Sequence, residues 1–175
     1  VVRTEAVATQ RLDDIPEILE VGCDLLKVDV QGLEFEIFCN ATKILANCLV
    51  VQTEVEFVPL YQNQPLFAEV DQVLRQHGFV FHKFLGLAGR PFKPLMQNNN
   101  PNAPISQVLW SDVVYVRDFT QLDGLTPEQL LKLVTLLHEV YGSVDLCHHI
   151  LTIYDKQTGE TLASKYLIQQ RSKLL

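Results

Sequence analysis

The chain has 175 residues, of which 47% are hydrophobic and 20% charged, the balance of a globular rather than a disordered protein. That length suffices for one domain with a sizeable core. The net charge of -7 argues against a general nucleic-acid or anionic-membrane binder, and no apolar run is long enough to cross a bilayer.

The chain begins Val1-Val2-Arg3-Thr4-Glu5, with no initiating Met and no secretory leader pattern. That start reads as a piece of a longer protein, or an incomplete reading of one. Residues 1–12 alternate in character and suggest a strand at Glu5–Thr9. Asp13-Asp14-Ile15-Pro16 reads as a helix start with an acid at the N-cap, the helix ending near Gly22. A strand is expected over 24–30, then a helix after Gly32 with Leu33, Ile37 and Phe38 on one face; residues 41–49 continue it or turn at Asn40. A second strong strand covers Leu49–Val58 and stops at Pro59. Pro65 suits the first position of the next helix, with Leu66, Val70, Val73 and Leu74 as its stripe and Gly78 as its end. Phe79–Leu85 reads as a strand, 86–104 as a long loop of the kind used for lids or left disordered, and Val108–Val116 as a strand again. The pair 79–85 and 107–117 suits an antiparallel hairpin. Alternating strands and helices predict a mainly parallel sheet covered on both faces. Thr126-Pro127-Glu128-Gln129 opens a helix whose stripe is Leu130, Leu133, Val134, Leu137 and Val140. Helices over 143–155, with Leu146, Ile150 and Ile153 inward, and over 160–172 follow.

The organising stretch is Asp24–Glu34. Strand residues alternate faces, so Leu25, Lys27 and Asp29 share one side. Buried charges are costly unless paired, and Asp29 lies near the carboxyl end of its strand, where open α/β sheets bind ligands. Glu34 falls in the first helical turn, where the helix dipole favours an acid. Strands 24–30 and 49–58, joined by helix, should be neighbours. Lys27 and Asp29 would then meet Glu54 and Glu56. One reading is structural: a Lys27–Glu54 or Lys27–Asp29 pair and an ordinary helix acid. The other is a polar site in which a carboxylate accepts a hydroxyl or amine proton.

A metal reading of Asp29, Glu34, Glu54 and Glu56, with His77 and His82, lacks the usual ligand spacings, so no metal is expected. No nucleophile elbow and no glycine-rich phosphate loop is present. Cys23, Cys39, Cys48 and Cys147 form no CxxC pair. The first three read as small buried hydrophobes, and a reducing cytoplasm is the natural compartment.

Three blocks in order carry a family resemblance: Arg11-Leu12-Asp13-Asp14, then Lys27-Val28-Asp29-Val30-Gln31-Gly32-Leu33-Glu34, then Glu54-Val55-Glu56-Phe57 with Pro59-Leu60-Tyr61. With Leu109–Asp118 they resemble the FkbM methyltransferases over roughly residues 10–118. The resemblance implies an α/β fold: the C-terminal half of a Rossmann-like class I methyltransferase sheet, mostly parallel with an antiparallel final hairpin, over 1–120. A helical extension over 121–175 follows. Strands 24–30 and 49–58 would be the fourth and fifth of that sheet. The implied activity is S-adenosylmethionine-dependent O-methylation of a hydroxyl on a sugar or natural product. Asp29 and Glu54 would be catalytic, Lys27, Glu34, Glu56 and Tyr61 would meet the acceptor, and Asp29 would also touch the donor. Acceptor specificity would reside in 86–104 and the helices after 125. The family's glycine-rich first loop and its ribose-binding acid are not in this sequence. The chain alone should therefore hold the donor poorly or not at all, and its cut sheet edge at 24–30 could close by homodimerisation. The competing reading is a non-catalytic interaction domain whose helical end serves assembly.

Overall fold

The computed structural model describes residues 3–174. Val1, Val2 and Leu175, the ends of the 1–12 and 121–175 readings, lie outside the described residues. The strands are β1 (Leu25–Val28), β2 (Val50–Glu56), β3 (Phe79–Phe84), β4 (Ala88–Gly89) and β5 (Val108–Arg117). The helices are α1 (Pro16–Val21), α2 (Glu34–Cys39), α3 (Thr42–Asn47), α4 (Phe67–Gln76), α5 (Pro127–Glu139), α6 (Val144–Thr158) and α7 (Leu162–Leu174).

The sheet order is β1-β2-β5-β3, with β4 beside β5. β1 pairs β2 in parallel, while β2, β3 and β4 each pair β5 antiparallel. Four strands therefore run one way, and β5 runs against them. The expected hairpin of 79–85 with 107–117 is present. It is wider than a simple terminal addition, because β5 inserts between β2 and β3 and leaves β1·β2 as the parallel ladder among the described residues.

The two faces have separate cores. α2, α3 and α4 cover one face, where Phe38, Leu45, Val51, Val55, Leu74, Phe79 and Tyr115 pack together. Helices α5 and α6 cover part of the other, where Leu130, Leu133, Leu137 and Ile150 meet Val50, Val114 and Val116. These apolar residues fall on opposite sides of β2 because its side chains alternate. On the second face the helices stop short of the carboxyl ends of β1 and β2, and polar residues begin there.

Several expectations need correction. Residues 5–9 form no strand. The helix at 16–21 has Ile15 before it and no side-chain cap. Asp13 caps a different helix: its carboxylate accepts Lys43 N at 2.8 Å and Ile44 N at 3.0 Å, at the start of α3. Leu33 is exposed, since the helix starts one residue later and Phe38 carries the core contact. Asn40 breaks the segment into α2 and α3. Pro65 precedes α4 by two residues, and the helix starts where Leu66 N donates to Glu69 Oε2 at 3.0 Å. Val140 caps α5 and is exposed, while Leu130, Leu133 and Leu137 are buried as expected. Thr126 does cap α5: Gln129 N donates to Thr126 Oγ1 at 3.2 Å and Thr126 N to Gln129 Oε1 at 3.0 Å. The loop 86–104 is shorter than expected, because β4 pairs within it.

Candidate active site

The turn after β1 is built from two left-handed residues, Gln31 (φ 58°) and Gly32 (φ 109°). A left-handed non-glycine residue is uncommon and needs outside support. Glu34 supplies it. Its Oε1 accepts Val30 N at 2.8 Å and its Oε2 accepts Gly32 N at 2.9 Å. Glu34 is buried, so both its oxygens serve the turn. Gly32 also permits a close approach. A Cβ there would lie 3.1 Å from Gln64 Nε2 and 3.3 Å from Tyr61 Cδ2. The segment 59–66 thus lies against the turn, itself closed by Gln64 Oε1, which accepts Leu60 N at 2.9 Å and Tyr61 N at 3.1 Å.

This turn throws the Gln31 side chain across the ends of β1 and β2. Its Nε2 donates to Asp29 Oδ1 at 3.1 Å and to Glu54 Oε1 at 2.9 Å. Its Oε1 accepts the Tyr61 hydroxyl at 3.4 Å. One amide therefore ties two carboxylates and a phenol into a constellation beyond the β1·β2 ladder. Glu54 faces Asp112 across the β2·β5 register, and Asp112 accepts Gln52 Nε2 at 3.2 Å. Tyr141 donates to Gln52 Oε1 at 3.1 Å and so joins the helical half to the same face.

The electrostatics follow from burial and like charge. Partial burial holds the Glu54 carboxyl above its ordinary range, helped by the charges of Asp29 and Asp112, while the Gln31 N–H pulls the other way. Glu56 is 2% exposed. Burial, then the charge of Glu34, pushes it up to about 7, with the Gln64 amide opposing. Glu56 Oε1 and Gln64 Nε2 are both buried without a well-formed hydrogen bond.

The structure thus brings Asp29, Glu54 and Tyr61 together through Gln31. Glu34 lies beneath, spent on the turn, and Glu56 lies behind, enclosed. Lys27 is exposed, and among the described residues it makes no ion pair. The Lys27–Glu54 and Lys27–Asp29 pairs are not formed; the Gln31 amide donates to both acids instead. His82 Nε2 meets Ser143 Oγ at 2.6 Å, and His77 ends α4, so neither joins the acids. Gln31, Gln52 and Asp112 were not singled out from sequence. For Gln31 the signal was a long polar residue directly before a turn glycine. For Asp112 it required the register of β5.

Residues 1–81 are matched by a methyltransferase family. Its description is Methyltransferase FkbM domain, so residues 1–81 are similar to that family, as the three blocks implied. The match takes in Asp29, Gln31, Glu54 and Tyr61. It stops within β3, before the Leu109–Asp118 block. No curated protein and no solved structure matches the chain.

Proposed function

We propose that this chain is part of an S-adenosylmethionine-dependent methyltransferase that methylates a hydroxyl on a sugar or natural product. The observation that carries the reading is the Gln31 amide holding Asp29 and Glu54 together at the carboxyl ends of two parallel strands. That edge is where open α/β sheets take ligands. The topology supports the reading too: four strands of one direction with a single reversed strand suit the C-terminal half of a class I sheet, β1 and β2 being its fourth and fifth strands.

Bound S-adenosylmethionine supplies a methyl group on a positively charged sulfonium. The residues present fit that charge, since exposed Asp29 offers a carboxylate to its positive end. They do not enclose it, because no glycine-rich loop is in the sequence. Glu54 accepts the acceptor's hydroxyl proton once ionised, a step that gains from a pKa above the ordinary carboxylate range. Tyr61 and Lys27, both exposed at the rim, contact the acceptor, while Glu34 and Glu56 keep the turn and the floor in place. The four cysteines are free, which supports a reducing cytoplasmic compartment. Among the described residues no helix is long and apolar enough to cross a membrane.

The test is Asp29→Asn and Glu54→Gln in the parent protein, assayed for methyl transfer from S-adenosylmethionine. A loss of about 100-fold or more with unchanged circular dichroism is expected. Full activity in both variants would overturn the assignment.

A further inference from the structure

Away from the acids, the opposite end of the β1·β2 ladder carries two thiols. The ladder pairs Leu25 with Val50. Cys23 and Cys48 stand two residues before that pair, just outside the two strands. Neighbouring strands lie about 4.8 Å apart, inside the roughly 4.4–6.8 Å that a disulfide needs between Cα atoms. The backbone is held there as well: Asp24 O accepts Leu49 N at 2.9 Å and Val50 N at 3.1 Å. Both side chains turn into one core cluster, Cys48 wholly inside it and Cys23 packed against it. Cys48 Sγ donates to Val50 O at 3.0 Å, and Cys23 Sγ to Leu25 O at 3.2 Å. Both cysteines are free.

We propose that Cys23 and Cys48 form a reversible dithiol–disulfide site, oxidised by a low-molecular-weight disulfide and closing the base of the β1·β2 ladder. Cys23 is the attacking thiol because it is partly exposed, whereas Cys48 is fully enclosed. The thiol contact with Cys48 brings Cys23 down to about 7, which raises its thiolate fraction. Cys48, more deeply buried and beside Cys23, keeps its proton. In the first step the Cys23 thiolate attacks one sulfur of the small disulfide, forming a mixed disulfide and releasing one thiolate. In the second, Cys48 attacks Cys23 Sγ, its proton passing to the second small thiolate as that leaves. Two protein thiols are oxidised, and one small disulfide is reduced to two thiols. The product fastens the outer strand of the sheet to its neighbour at the end opposite Asp29.

The experiment treats the 175-residue chain with oxidised glutathione and maps the products by peptide mass spectrometry without reduction. The expected product is a Cys23–Cys48 peptide pair lighter by two hydrogens, restored by reductant, with an upward shift in melting temperature. Cys48→Ala should stop at glutathione on Cys23, and Cys23→Ser should give no link at Cys48. Cys39→Ser should leave the link unchanged, since Cys39 lies on the surface of α2. Glutathione accumulating on Cys39 alone, or no Cys23–Cys48 link in the folded wild-type chain, would overturn the proposal.

Discussion

Glu56 is the residue whose environment is most at odds with its charge. Its carboxyl is enclosed, lacks a well-formed hydrogen bond at Oε1, and titrates at about 7. The folded state therefore binds a proton that the unfolded state has already lost between the ordinary carboxylate range and pH 7. Stability should fall as pH rises through that window and level off above it. Glu56→Gln removes the charge and keeps the shape. It should stabilise the protein by about 2 kcal/mol at pH 8, with the gain vanishing toward pH 5. Thermal melts at the two pH values check this, and an equal effect at both would contradict it. Gly32 makes a second prediction at this scale. Its φ of 109° strains any side chain, and a Cβ there would press on Gln64 Nε2 at 3.1 Å. Gly32→Ala should cost about 1–3 kcal/mol, measured by urea unfolding. Alternation in the sequence showed that Glu54 and Glu56 share a side of the strand. It did not show that one would be enclosed and the other open, because that depends on where segment 59–66 folds back.

Among the elements, β5 is held in place by Arg117 at its last position. The guanidinium donates to Cys48 O at 2.7 Å, His77 O at 2.9 Å and Ala46 O at 2.7 Å, and also to Leu45 O. It stacks 4.4 Å over the Phe79 ring. One planar fork thus gathers the ends of α3 and α4 around the inserted strand. A lysine cannot meet four carbonyls and a ring face at once. Arg117→Lys should lower stability by about 2–3 kcal/mol, seen as a reduced urea midpoint with little change in slope. Asp13 acts similarly at the start of α3, and Asp13→Ala should cost about 1 kcal/mol. The strands and most helices were legible because hydrophobic period, proline and glycine are local signals. Asp13 was misassigned for the opposite reason. An acid that caps a helix thirty residues away leaves the same local mark as one that caps the next helix.

At the scale of the whole molecule, the sheet presents a filled core on both faces and an outer strand, β1, that among the described residues pairs on one side alone. The site lies at the carboxyl end of that strand. Its acids were legible from strand alternation and neighbouring strands, while the amide that joins them became visible with the turn geometry. β5's insertion between β2 and β3 was not legible, since antiparallel order leaves no mark in the strand's own residues.

On the function proposed above, donor and acceptor meet at the Asp29–Gln31–Glu54 edge. Amide NMR of the chain titrated with S-adenosylmethionine tests it most directly. Any binding should appear as weak, saturable shifts, with a Kd of about a millimolar or weaker, confined to residues 29–34 and 54–61. Shifts confined to other residues would contradict it.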